Sequence, residues 1–139
     1  MTAFVLAAVL ALASPAPGCS GPDMSVTGLR IKVVKGSAKT STSDRVLITA
    51  DLTNIGSAPQ RAGVPQHAEL LRNGVVVASQ SFPSLASGVT YTLQFRLFRT
   101  VAERSDPLEV LVRYVEDGKS VPTRSMNCSI ANDSLQKIF

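Results

Sequence analysis

The stretch VLITADLTNIGSAP, residues 46–59, alternates apolar and polar side chains and then stops. Alternation with a period of two is typical of a strand that has one buried face and one solvent-facing side. The residues predicted to point inward are Val46, Ile48, Ala50 and Leu52. On the opposite face, Leu47 is an apolar exception among polar residues.

Three residues end this strand and turn the chain away from it. The side chain of Asn54 can satisfy local backbone groups, and Gly56 tolerates a positive φ angle. Pro59 has no backbone N–H, so it prevents the chain from rejoining the hydrogen-bond ladder. The pattern therefore predicts that the chain crosses to a second sheet here.

The same alternation recurs along the chain between turn signals. The other predicted strands lie around LRIKV, HAELLR, VVVASQS, YTLQFRLF and LEVLVRYVE, with a weaker last strand from Val121 to Ile130. The pair Asn73-Gly74 is preferred in the type I′ turn of a two-residue hairpin. About seven short strands without a helical period predict an all-β fold, an immunoglobulin-like antiparallel β-sandwich, with a small barrel as the alternative.

The first residues, MTAFVLAAVLALASPAPGC, predict export. Their apolar run has the length of a signal-peptide core, is too short to span a bilayer, and is followed by small residues, although no basic residue precedes it. We expect a signal peptide at residues 1–13, a flexible linker at 14–23, the sandwich at 24–130 and a C-terminal tail at 131–139. The expected location of the mature chain is the periplasm or the extracellular space, with no integral membrane span.

Two cysteines fit an oxidising compartment. A disulfide between Cys19 and Cys128 is expected there. The alternatives are a lipid anchor at Cys19, although the preceding Ala-Pro-Gly fits a lipidation motif poorly, and two free thiols.

The charge pattern argues against nucleic acid as a partner. The formal net charge is +4, but the basic residues are dispersed and aromatic residues make up only 5% of the chain. A nucleic-acid-binding protein usually has a dense basic stripe with aromatic residues for stacking. A protein partner is the better expectation.

Four motifs, in this order, carry a family resemblance. They are VLITADLTNIGSAP, AELLRNGVVVAS, LASGVTYTLQFRL, and VRYVEDG followed by NCSIANDS. On these motifs the chain resembles the bacterial CARDB-type domains (cell adhesion related domain found in bacteria), and the resemblance covers about residues 24–133. The last motif departs from the family pattern, because only Asn127 and Asn132 remain of its paired asparagines. The resemblance implies an immunoglobulin-like fold and an interaction role, and it transfers no catalytic residues.

The sequence offers no constellation for chemistry, so we expect no catalytic residues, no metal site and no cofactor. The chain has one histidine, His67, which is expected to be an exposed strand residue in alternation with Glu69. No Gly-x-Ser-x-Gly elbow and no glycine-rich phosphate loop occur. We therefore predict a protein that is not an enzyme.

Four residues on candidate strands form the predicted interaction surface: Arg96, Phe98, Leu111 and Arg113. All four are expected to point outward from adjacent strands, and they would suit an acidic protein partner or anionic lipid head groups. The sequence thus predicts an exported interaction or adhesion module that binds another envelope or extracellular protein. The alternative is an accessory β-sandwich that binds a small ligand or glycan, which the inward placement expected for Tyr91 and Tyr114 disfavours.

Overall fold

The computed structural model describes residues 21–34, 43–63, 65–116, 119–121 and 134–137. These residues form eight strands and a short 3-10 helix, Val101–Glu103. The strands are β1 Met24–Val34, β2 Ser43–Asn54, β3 Gln66–Arg72, β4 Val75–Ser81, β5 Thr90–Thr100, β6 Leu108–Glu116, β7 Lys119–Val121 and β8 Ser134–Lys137. None of the described segments is a helix with the length and hydropathy that a membrane crossing requires.

The strands form two antiparallel sheets. The first sheet has the order β1-β2-β5. The second has the order β4-β3-β6, with β7 and β8 both paired to the edge of β6 that β3 leaves open. Each sheet turns its apolar side chains toward the other, as expected for a sandwich with solvent on both outer faces. The predicted all-β sandwich is confirmed.

The core is filled by the inward residues that the alternation predicts. Ile48, Ala50 and Leu52 of β2 are fully buried, and so is Tyr114 of β6. The hairpin between β3 and β4 turns at Asn73 and Gly74, whose φ angles are +50° and +77°. Both angles are positive, as a type I′ turn requires, so this turn prediction is also confirmed.

Asn54 joins three segments where β2 ends. Its Oδ1 accepts hydrogen bonds from the backbone N–H groups of Asp23 and Gly56, each at 3.0 Å. Its Nδ2 donates to the carbonyl oxygens of Ala58 and Leu85, also at 3.0 Å. The side chain is completely buried, so these four bonds meet its full hydrogen-bonding capacity. The chain then crosses to β3 in the second sheet, as predicted.

Gly56 serves a different purpose from the one expected. Its φ angle is not positive, whereas among the glycines that the structure describes Gly63, Gly74 and Gly88 do have positive φ angles. A Cβ atom at position 56 would instead lie 2.5 Å from the backbone nitrogen of Asp23 and 2.7 Å from the carbonyl carbon of Pro22. Glycine is needed because two backbone segments touch here.

The sandwich extends beyond both predicted boundaries. Asp23, placed in the linker at 14–23, is fully buried against the end of β2. At the other end, Ser134–Lys137 pairs with β6, although 131–139 was expected to be a tail. The open edge of β6 offers unpaired backbone groups, which a short segment with little alternation of its own can still pair with. The predicted strand from Val121 to Ile130 is described only at its first residue.

The signal segment 1–13 lies outside the described residues. So do Cys19 and Cys128, and the disulfide stays a prediction.

Candidate interaction surface

The outer face of the first sheet carries two rows of side chains that cross all three strands. Directly paired residues of antiparallel strands point to the same face. One row consists of Val34, Arg45 and Phe98, which are paired in that order. The next consists of Lys32, Leu47 and Arg96. We call these six residues the cationic groove, because they line a depression with a volume of about 540 Å³.

Cations and apolar side chains alternate in both directions across the cationic groove. The first row reads apolar, cation, apolar, and the second reads cation, apolar, cation. Phe98 is 69% exposed and Val34 45% exposed, although both are apolar. Within the described part of the chain, the cations of Lys32, Arg45 and Arg96 form no ion pair. As far as the described residues go, the groove therefore presents positive charge without a paired carboxylate beside exposed apolar surface.

In the other half of the same face, a carboxylate is paired with a cation. Arg30 donates two hydrogen bonds to the carboxylate of Asp51, at 2.5 and 3.1 Å, and Thr92 donates a third at 2.7 Å. The hydrogen bonds from Arg30 and then Thr92 hold the pKa of Asp51 below its ordinary value. Gly28 leaves room for this carboxylate, since a Cβ atom there would lie 2.7 Å from Asp51 Oδ2. The acidic side chain on this face is thus already engaged outside the groove.

The structure separates the four residues of the predicted surface. Arg96 and Phe98 lie on β5 in the first sheet, within the cationic groove. Leu111 and Arg113 lie on β6 in the second sheet, where they pair with Glu69 and His67 of β3. The expectation that these strands are adjacent is wrong, because the chain crosses between the sheets after β5. The four side chains therefore form no common surface.

Sequence reasoning missed four members of the cationic groove: Lys32, Val34, Arg45 and Leu47. The signal that could have found them is Leu47, the apolar residue on the solvent-facing side of β2. Its position is only partly buried, and it lies between Lys32 and Arg96 in the register. Together with the exposed Val34 and Phe98 in the next row, this outward apolar residue forms part of an apolar patch, and such patches mark interaction sites.

Two other arginines have structural roles. Arg104 donates hydrogen bonds from Nε and Nη2 to the carboxylate of Asp44, at 2.8 and 2.9 Å. Arg99 is 5% exposed and places its Nε 3.6 Å from Asp44 Oδ2. These residues hold the end of the sheet together and leave the outer face to Arg96.

His67 departs from its expected position. It is partly buried rather than exposed, and its Nε2 lies 3.0 Å from Glu69 Oε1 on the same strand. Tyr91 lies on the inward face of β5, where it is paired with the buried Leu52, and its ring stacks on Phe82 with centroids 6.2 Å apart, although 37% of the residue stays exposed. Tyr114 points inward as expected.

No group of three or more His, Cys, Asp or Glu residues within the described ranges could hold a metal ion.

Comparison with known proteins gives a structural likeness. No protein-family model and no curated protein matches the chain. A solved structure of the CARDB domain of a Pyrococcus furiosus protein, in complex with di-metal ions, is similar over 84% of each chain, with 14% identity and a TM-score of 0.50. A Bacteroides fragilis protein assigned as a beta-galactosidase is similar over 82% of this chain and 17% of its own, with 18% identity and a TM-score of 0.45. The likeness to the first structure confirms at the level of fold what the motifs suggested: this chain has the fold of a CARDB-type immunoglobulin-like domain.

Proposed function

We propose that the chain is a non-catalytic, exported immunoglobulin-like interaction module, and that it binds another envelope or extracellular protein through the cationic groove. The observation that carries this proposal is the alternation of exposed cations with exposed apolar side chains on one sheet face. Protein interfaces favour this combination, with apolar anchors such as Phe98 and arginines at their centre.

In the free protein, the side chains of the groove contribute little to the stability of the fold. Lys32, Arg45 and Arg96 occupy diagonal positions of the sheet, about 7–8 Å apart between neighbours, where like charges repel each other. Phe98 leaves most of its ring in water, which forgoes the free energy that burial would supply. A bound partner would neutralise the charges and bury the ring, so binding accounts for an arrangement that folding does not.

Two further features support an extracellular setting. The apolar run before Ala11-Leu12-Ala13 is typical of an export signal. The fold is also that of the similar Pyrococcus furiosus CARDB domain. The CARDB-type family that the four motifs resemble implies an interaction role, which agrees with the position of the groove on an outer sheet face.

Photo-crosslinking in intact cells tests the proposal. A photoreactive benzoylphenylalanine replaces Phe98, at the rim of the groove, and in a matched control it replaces Leu111 on the outer face of the second sheet. We expect a discrete protein adduct from position 98 and none from position 111. If position 98 yields no adduct, or if both positions yield the same one, the groove is not the binding surface.

A further inference from the structure

We infer that the cationic groove takes an extended, acidic segment of the partner protein, whose groove-facing side chains read carboxylate, apolar, carboxylate. This inference rests on the proposed function and specifies the chemistry of the partner. It is carried by the juxtaposition of Lys32, Leu47 and Arg96 in one row across three strands.

The spacing of the row fits a segment that lies across the strands. Neighbouring strands are about 4.8 Å apart, so the Cα atoms of Lys32 and Arg96 are about 10 Å apart with Leu47 between them. In an extended segment, every second side chain points to the same face, and alternate positions are about 7 Å apart. Three successive groove-facing side chains can therefore set an apolar group over Leu47 and a carboxylate within reach of each flanking cation.

The charges of the row specify an anionic occupant. Lys32 and Arg96 have no carboxylate partner among the described residues, and Arg45 adds a third positive charge in the next row. Asp51, the acidic residue farther along this face, is committed to Arg30 and Thr92. Arginine also matches a carboxylate geometrically, because its planar fork can donate two parallel hydrogen bonds.

The shape of the groove favours a peptide over a lipid surface. Leu47 is partly buried, whereas Val34 and Phe98 in the next row are exposed. A flat layer of head groups would meet Phe98 first and leave the depression over Leu47 unfilled. A side chain that projects from a peptide can enter the depression, with its backbone resting on the exposed rim.

Peptide titration of the isotope-labelled whole chain, followed by amide NMR, tests the inference. The probe is Glu-Thr-Val-Thr-Glu with blocked ends, and its matched controls are Gln-Thr-Val-Thr-Gln and Glu-Thr-Ser-Thr-Glu. We expect the first peptide to shift amides of β1, β2 and β5 around the groove, and both controls to bind more weakly. Affinity should fall about fivefold toward 1 M salt, where the screening length drops to about 3 Å.

Variants of the protein complete the test. We expect Arg96→Gln to weaken peptide binding about threefold, as for a partly exposed ion pair, and Leu47→Thr to weaken it about tenfold through lost apolar contact. Arg113→Gln, the matched control on the second sheet, should change nothing. The dispersion of the amide spectrum shows in the same experiment whether each variant is folded.

Three results would overturn the inference. The first is that the acidic peptide shifts no amides in the groove, and the second is that the uncharged peptide binds as tightly as the acidic one. The third is that the protein binds phosphatidylglycerol vesicles and not the peptide, and that Arg96→Gln abolishes the vesicle binding. Each would leave the proposed function standing if position 98 still crosslinks to a protein in cells. Conversely, the absence of that adduct overturns the proposed function itself, whatever the peptide does.

Discussion

Arg104 holds the carboxylate of Asp44 through two hydrogen bonds of 2.8 and 2.9 Å, although the two residues are 60 positions apart in sequence. The pair links the start of β2 to the turn that follows the 3-10 helix. Asp44 is 1% exposed, so water cannot replace Arg104 as its partner. The first sheet thus depends at this end on a buried carboxylate that must stay ionised.

The free energy of unfolding should therefore fall in acid. The hydrogen bond from Arg104 lowers the pKa of Asp44, and that from Arg30 lowers the pKa of Asp51. A carboxyl group whose pKa is lower in the folded state stabilises the fold above its unfolded-state pKa, near 4, and loses this contribution as the pH falls through the folded value. Urea unfolding should show constant stability from about pH 7 to pH 5 and a decline below about pH 4.

The variant Asp44→Asn should remove the share of this acid sensitivity that comes from Asp44, leave the share from Asp51, and lower the melting temperature at pH 7. Glu109→Gln, on the outer face of β6, serves as the control. A decline in acid that is unchanged in Asp44→Asn would contradict the assignment to this pair.

Substitution Asn54→Ala should destabilise the fold by about 3 kcal/mol, because it leaves several buried backbone groups without partners. Asn54→Asp keeps the acceptor for the N–H groups of Asp23 and Gly56 but loses both donors, so it should also destabilise. The matched control is Asn73→Gly in the exposed hairpin turn, where positive φ suits glycine. Denaturant unfolding measures all three variants. A fall in the free energy of unfolding of less than about 1 kcal/mol for Asn54→Ala would contradict the conclusion that the Asn54 side chain holds these segments together.

Substitution Gly56→Ala should destabilise the fold by about 3 kcal/mol, because the added methyl group overlaps the backbone at Pro22 and Asp23. Gly63→Ala is the comparison: its Cβ would meet nothing within 4 Å, but its φ angle of +75° strains an alanine. We expect about 1 kcal/mol there. A cost at position 56 no larger than that at position 63 would contradict close approach of the backbone as the reason for the glycine at 56.

Pairing of Cys19 with Cys128 should be detectable in the exported protein. The bond would close a loop of about 110 residues, and its reduction should lower the free energy of unfolding by up to about 4–5 kcal/mol. Mass spectrometry without reductant, before and after alkylation, measures the bond directly. Two thiols that alkylate in the native protein would exclude it.

Much of the fold could be predicted from the sequence, because the alternation in β2, β5 and β6 reports directly which side chains are buried. The Asn73-Gly74 turn was predictable for a local reason, since both residues need positive φ. Asn54 was recognisable as a capping residue. Its bonds to Asp23 and Leu85, each 31 positions away, were not, because they depend on how the residue before β1 and the loop between β4 and β5 pack against the end of β2.

The candidate site was only half predictable, since a surface depends on which strands are neighbours. Period-two alternation shows that Arg96 and Arg113 point outward, but it does not show that β5 and β6 belong to different sheets. Lys32 and Arg45 join Arg96 only through the pairing of β1, β2 and β5. The outward position of Leu47 was the local clue to that surface.

The strand directions also bear on how the module would respond to mechanical load. Asp23 is tied to Asn54 at one end of the sandwich, and Lys137 pairs with Leu108 at the opposite end, where Arg72 also lies. Tension between these two points would run along β1 and β8. Because hydrogen bonds of antiparallel strands lie across the strands, the β1–β2 ladder would be sheared as a whole and not peeled bond by bond, so the sheet should resist a pulling force along this direction.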